Sequence, residues 1–324
     1  MKKLIGGLVA GALALSALPA VAQDALTLQL KWVTQAQFAG YLVAEAKGFY
    51  DEENLDVTIL PGGPNIAPEQ VIAGGGADII VTWMAAGMAA RESGVPLVNI
   101  AQPFKRSGLM MICPTETGIA SPEDFPGHTL GVWFFGNEYP FFAWMNKLGI
   151  PTDGSAEGVT VLQQSFDIQP MIQGQADCIS VMTYNEYGQA LDAGYGPDNL
   201  TIFNYTEMGN DLLEDGIYVM EDTLDDPAKV DAYTRFVRAS MKGWQYALDN
   251  PDEAAEIVVE ADDTGAAEYD HQRYMVEEVS KLVDPEDPAL NMETYDRTVQ
   301  ALLDQGIIKN QPEGAYTTVV TDGL

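Results

Sequence analysis

Apolar and polar positions alternate from Leu26 to Lys31, and this period of two predicts a strand. Thr34 then stands as a helix cap before Gln35 to Lys47, which Gly48 stops. The same reading predicts strands at Leu55 to Leu60, Asp78 to Thr82 and Pro96 to Gln102, with helices at Pro68 to Ala73 and Met84 to Ser93 between them. From Leu109 the pattern restarts. Strands are predicted at Leu109 to Cys113, His128 to Phe134, Val159 to Gln164 and Cys178 to Thr183, with a capped turn at Ser121 to Phe125. Helices open after Asn137 and Asn185, and a late strand covers Gly216 to Met220. Beyond it the chain reads as helical: Asp226-Pro227 opens one helix to Leu248, Asn250-Pro251 opens the next, and others follow to about Gln305.

Strands alternating with helices over two hundred residues are the signature of α/β sheets, each doubly wound and mostly parallel. One phrase is written twice. "VIAGGGADIIVTW" ends at Trp83 and "MIQGQADCISVMTY" ends at Tyr184. In each, a helix end, a glycine stop and Ala-Asp lead into an apolar strand that finishes on an aromatic. Two equivalent lobes explain this, although Gly-x-Ala-Asp turns also occur by chance in α/β proteins.

Open α/β sheets bind ligands beyond the carboxyl ends of their strands. The residues that follow the predicted strands are Trp32, Trp83, Trp133 with Phe134 to Tyr139, and Tyr184 with Asn185 and Glu186. Aromatics at all four places, two per lobe, predict a planar, poorly hydrated ligand held between faces. Thr34, Asn137 and Asn185 stand at helix starts, where free N–H groups welcome a ligand oxygen. Glu138 and Glu186 could accept hydrogen bonds from ring or exocyclic N–H groups. The candidate set is completed by Gln37 and Tyr41 on the first helix, Gly62 and Gly63 in the break after the second strand, and Phe135 and Gly136. Each has a structural alternative. The aromatics can be core, Asn185 can be a cap, the acids can answer a helix dipole, and the glycines can form plain turns. Trp144 and Trp244 fall in mid-helix and read as packing.

The first 22 residues read as a cleaved leader, with Lys2 and Lys3, an apolar run to Leu18, and Ala20-Val21-Ala22 before the cut. Export without lasting membrane insertion is expected. The remaining 302 residues exceed one ordinary core. We expect a first lobe over 23–108, a second over 109–212, and a return to the first with C-terminal helices over 213–324. Without Lys2 and Lys3, 14 basic residues face 48 acidic ones. That balance excludes nucleic acid and anionic membrane surfaces as partners. Cys113 and Cys178 are either a disulfide, which export permits, or two buried thiols. No metal site is expected from two histidines and no CxxC, and no cofactor is called for.

The stretch "WVTQAQFAGYLVAEAKGFYDEENLDVTILPGG" from Trp32 to Gly63, with the two Ala-Asp phrases, resembles periplasmic solute-binding proteins of ABC importers. The narrower likeness is to the branch related to fungal thiamine-pyrimidine synthases. The resemblance implies a two-lobed type II clamp with crossing hinge strands and a permease as partner. Its ligand would be an aromatic nitrogen heterocycle, either a thiamine-precursor pyrimidine or a flavin. It also implies that Trp32, the Trp83 region, the glycine turn of the second lobe and Glu186 face that ligand. The turn reads "FFGNEYP" here, bulkier and more acidic than a phosphate-holding turn, so an unphosphorylated ring is expected. A monomer is expected.

Two rivals stand. An exported enzyme is one, although the chain has no GxSxG, HExxH, P-loop or GxGxxG. Its histidines are His128 and His271, and Met84 to Ser93 carries no lysine. A binder of an alkanesulfonate or nitrate anion is the other, with Lys31, Lys105 and Arg106 as the nearest cations.

Overall fold

The computed structural model describes residues 22–324. The expected leader therefore lies, apart from Ala22, outside the described residues. Among the described residues there are ten strands: β1 (Asp24–Gln29), β2 (Leu55–Leu60), β3 (Ile79–Thr82), β4 (Leu97–Ala101), β5 (Leu109–Pro114), β6 (Thr129–Val132), β7 (Thr160–Gln163), β8 (Cys178–Met182), β9 (Leu200–Asn204) and β10 (Gly216–Met220). They form two five-stranded sheets, ordered β2-β1-β3-β10-β4 and β7-β6-β8-β5-β9. The two orders are the same sequence of positions. In each sheet the first three strands pair in parallel, as βαβ connections require. In each, one strand runs antiparallel to both of its neighbours, so the sheets are mixed. The fold is the two-lobed α/β clamp of type II.

The doubled phrase now has a physical cause. Asp78 N–H donates to the Thr27 carbonyl at 2.9 Å, and the Thr27 N–H donates back to Asp78 Oδ2 at 3.0 Å. In the second lobe Asp177 N–H donates to the Thr129 carbonyl at 2.8 Å, and Thr129 N–H donates to Asp177 Oδ2 at 2.8 Å. Each Ala-Asp turn thus clips the start of the third strand to the first strand of its sheet. An acceptor side chain placed there satisfies a backbone N–H that the ladder leaves open.

Several boundaries moved. Thr34 does not cap the first helix; a 3-10 turn, Ala36–Phe38, comes first, and the α-helix runs Ala39–Ala46. Strand β9 was not expected. Its half-exposed Thr201 and Ile202 hide the alternation of an edge strand. Cys113 and Cys178 are joined in a disulfide, which settles the open choice between bridge and free thiols. They follow and precede the opposed pair Ile112 and Ile179 on adjacent antiparallel strands.

Trp144 and Trp244 are packing residues. Trp144 sits among Phe125, Phe203 and Tyr205. Trp244, on the long helix Pro227–Asp249, lies so close to Gly40 that any side chain there would collide with its ring.

The chain crosses between sheets twice, after β4 and after β9. The crossings are sewn together by Glu214. Its carboxylate accepts from Ser107 Oγ–H and from Gly108 N–H at 3.0 Å, and its carbonyl accepts from Gln102 Nε2. Burial pushes the Glu214 carboxyl up to about 8. No described helix is long and apolar enough to cross a membrane.

Candidate functional site

Between the sheets lies a cavity. Its wall is made by Lys31, Trp32, Gln35, Gln37 and Trp83 from one lobe, and by Trp133, Asn137, Met182, Tyr184, Asn185 and Glu186 from the other. Trp32, Trp83, Trp133 and Tyr184 are all buried there. Each follows the carboxyl end of a strand, β1, β3, β6 or β8, which is why chain positions so far apart meet. Trp32 and Trp133 meet edge to face across the gap, with centroids 6.1 Å apart. The Trp133 indole N–H is already satisfied by the Ser165 carbonyl at 2.7 Å. Trp83 Nε1–H and Tyr184 O–H have no hydrogen-bond partner among the described residues. Tyr184 O–H is thus free to donate into the cavity, while the Trp83 indole N–H also faces the Asp215 carboxylate and helps to lower its pKa.

Gln35, Gln37, Asn185 and Glu186 of the wall form one continuous network. Gln37 Nε2 donates to Asp215 Oδ2 at 2.6 Å, and Gln35 Nε2 donates to Gln37 Oε1 at 2.7 Å. Asn185 Nδ2 donates across the lobes to Gln35 Oε1 at 3.3 Å and within its own lobe to Glu186 Oε1 at 2.8 Å. Asn185 Oδ1 lies 2.8 Å from His271 Nε2. Met182 N–H donates to Glu186 Oε2 at 3.0 Å. Burial dominates Glu186 and pushes its carboxyl up to about 7, against the lowering effect of backbone N–H groups and Asn185. Burial also raises Asp215, to about 6; Gln37 and the Lys31 charge oppose it. Asp215 has φ +21°, which non-glycine residues rarely adopt, and its Oδ1 has no partner among the described residues. The Lys31 ammonium is buried and donates to the Phe135 carbonyl at 3.2 Å, from one lobe to the other.

Eight of the fourteen residues marked from sequence line the cavity: Trp32, Gln37, Trp83, Trp133, Asn137, Tyr184, Asn185 and Glu186. Asn137 sits two residues before its helix rather than capping it, and its Nδ2 donates to the Phe134 carbonyl at 2.8 Å. Asn185 occupies the cap position of Glu186–Asp192, but its side chain turns to the network instead.

The other six stand elsewhere. Tyr41 is in the core, stacked on Phe236 at 6.3 Å and edge-on to Trp244. Gly62 lies against the Leu30-Lys31 backbone with no room for a side chain, so its smallness serves chain packing. Gly63 is buried, and a Cβ there would meet Val33 at 4.0 Å. Phe135, at φ +59°, is 40% exposed and turned to solvent. Gly136, at φ +94°, packs on Ala86 of the facing lobe, where a Cβ would come within 2.8 Å. Glu138 accepts from Gly136 N–H at 2.8 Å and so closes its own turn.

The sequence reading left out Gln35, Met182 and Asp215, and took Lys31 only as an anion contact. Met182 ends β8, so the strand-end rule could have found it. Asp215 follows the second crossing, and one acid among 48 carries no signal.

A family model described as NMT1/THI5 like matches residues 35–254. The chain belongs to the NMT1/THI5-like family. Within 242 residues this family member is 24% identical to the formylaminopyrimidine-binding protein of Halalkalibacterium halodurans, over 74% of this chain and 71% of that one. It is 26% identical to the riboflavin-binding protein RibY of Chloroflexus aurantiacus, over 72% of this chain and 65% of the relative, just under two thirds of its length. It is also 26% identical to the 4-amino-5-hydroxymethyl-2-methylpyrimidine phosphate synthase of Legionella pneumophila, over 73% of each. Among solved structures, the aliphatic sulphonate binding protein SsuA from Escherichia coli superimposes with a TM-score of 0.66 at 12% identity, over 89% of both chains. That likeness concerns the fold.

Proposed function

We propose that this protein is the exported substrate-binding component of an ABC importer and captures an aromatic nitrogen heterocycle between its lobes. The observation that carries the reading is the convergence of Trp32, Trp83, Trp133 and Tyr184 on one cavity with Glu186 and Asn185 in its wall. The aromatics offer faces and edges to a flat ring. Tyr184 O–H can donate to a ring nitrogen or carbonyl. Glu186 can accept from an exocyclic amine. Of the two heterocycles, a single-ring pyrimidine suits a gap whose facing Trp32 and Trp133 ring centroids stand 6.1 Å apart better than a flavin does. The name of the Halalkalibacterium relative supports the same choice.

Charge argues against an anion. The wall holds one cation, Lys31, and one carboxylate, Glu186, with Asp215 directly behind Gln37. A sulfonate or phosphate buried there would meet more negative than positive charge once Glu186 is ionised, above about pH 7. An enzyme reading finds less support. His128 pairs with Asp177 at the start of β8, and His271 meets the amide of Asn185. Neither is placed beside a nucleophile.

A larger ligand has one observation in its favour. A groove lined by Asp167, Gln189 and His271, among others, lies on the far side of the Asn185–His271 contact and could take a tail attached to the ring. Mass spectrometry of the small molecules released on gentle denaturation separates these outcomes. An aminopyrimidine supports the proposal, a flavin supports the larger variant, and an alkanesulfonate overturns both.

A further inference from the structure

The helix Tyr269–Val279 belongs to the first lobe by its contacts. Gln272 Oε1 accepts from Ala36 N–H at 2.8 Å, and Met275, Val276 and Val279 are part of the main core. Its other side meets the second lobe at the helix Glu186–Asp192. Tyr274 O–H donates to the Thr183 carbonyl at 2.7 Å, just before the cavity residue Tyr184. The Tyr274 ring lies on Gly188, where a Cβ would sit 2.5 Å from Cε1 and 2.8 Å from Cδ1. Gly188 is inside a helix and is not among the residues with positive φ, so its backbone conformation does not call for glycine. Glycine is unfavourable in a helix relative to alanine. The ring of Tyr274 is the reason for it.

We propose that Tyr274 and Gly188 are positioning residues for ligand capture. Tyr274 reaches from the first lobe into the notch at Gly188 and holds the closed arrangement in which Tyr184, Asn185 and Glu186 present themselves to the cavity. The contact forms only when the lobes come together. An added methyl at Gly188 therefore opposes closure without touching ligand or cavity. This inference rests on the heterocycle reading for its link to binding, but the contact itself does not depend on which ligand is bound.

The test compares wild type, Gly188→Ala, Tyr274→Ala and the double variant. Titration calorimetry uses unphosphorylated 4-amino-5-hydroxymethyl-2-methylpyrimidine as the probe, and amide hydrogen exchange is measured without any probe. Gly188→Ala is expected to weaken probe binding about tenfold while the melting temperature without probe stays the same or rises. In the Tyr274→Ala background the same substitution should have almost no effect, because contacting residues couple and independent ones add. Exchange in the Tyr269–Val279 helix, which is distant in sequence from the substitution, should speed up in Gly188→Ala but gain nothing further in the double variant beyond Tyr274→Ala. Additive losses, or Gly188→Ala exchange identical to wild type in that helix, overturn the clasp. If the probe fails to bind wild type, the heterocycle reading fails, and the exchange comparison alone decides the clasp.

Discussion

Trp32 and Trp133, a hundred residues apart, meet edge to face at 6.1 Å across the gap between the two lobes. Both rings are buried members of the main core as well as of the cavity wall. Each hangs from a strand end into the shared cavity, and together with Trp83 and Tyr184 they make its aromatic wall. Replacing Trp32 or Trp83 by alanine should weaken heterocycle binding by about 1–3 kcal/mol, the range for a ring stacked on an aromatic side chain. Titration calorimetry with both variants checks this. Unchanged affinity in both would remove the aromatic grip from the account.

Glu186 gives the site a pH dependence. Its burial raises the carboxyl to about 7, so it passes from neutral to ionised between about pH 6 and 8. The ionised form is the stronger acceptor for an exocyclic amine. Affinity for an aminopyrimidine should therefore rise over that interval and flatten in Glu186→Gln. A wild-type profile as flat as that of the variant would place Glu186 in the fold and not in recognition.

Glu214 makes the opposite kind of prediction, about stability. Its folded value is raised to about 8 from an ordinary 4.5, so the folded protein holds the proton more tightly than the unfolded chain. Its contribution is fully present below about pH 4.5 and is lost as pH rises through about 8. Glu214→Gln, which resembles the protonated acid, should melt close to wild type at pH 5 and above it at pH 9. Thermal melts at the two values test this, and parallel behaviour of the two proteins would contradict it.

The Cys113–Cys178 bridge closes a loop of 65 residues. Chain-entropy arguments give such a crosslink about 4 kcal/mol of stabilisation. The Cys113→Ala/Cys178→Ala pair should lower the urea midpoint accordingly, with the second lobe most affected.

Asp78 and Asp177 do the same work in the two lobes, each accepting from the N–H of a first-strand threonine at 3.0 and 2.8 Å. Alanine at either position leaves that N–H without its acceptor and should cost about 1–3 kcal/mol. Similar losses for the two variants are expected from chemical denaturation.

Much of this architecture was legible because its signals are local. The strand Leu55–Leu60, the helix Pro68–Ala73 and the strand Gly216–Met220 have the bounds that their patterns predict, since glycine, proline and apolar runs mark their ends. The four cavity aromatics were legible because topology puts strand ends at a cleft whatever the sequence between them. What could not be read depends on contacts across the molecule. Phe135 looked like a fifth wall residue, but a left-handed turn at Phe135-Gly136 points it outward. Tyr41 has the composition of a site residue and the surroundings of a core one. Glu214 and Asp215 acquire meaning only because the fold brings Ser107 and Gly108 of the other crossing, and Gln37 of the first 3-10 turn, to them. No periodicity records that.

The most direct test is titration calorimetry of the purified protein with unphosphorylated 4-amino-5-hydroxymethyl-2-methylpyrimidine, riboflavin and an alkanesulfonate under one buffer. The account predicts saturable binding of a heterocycle, tightest for the pyrimidine, and none of the sulfonate. Binding of the sulfonate alone would contradict it.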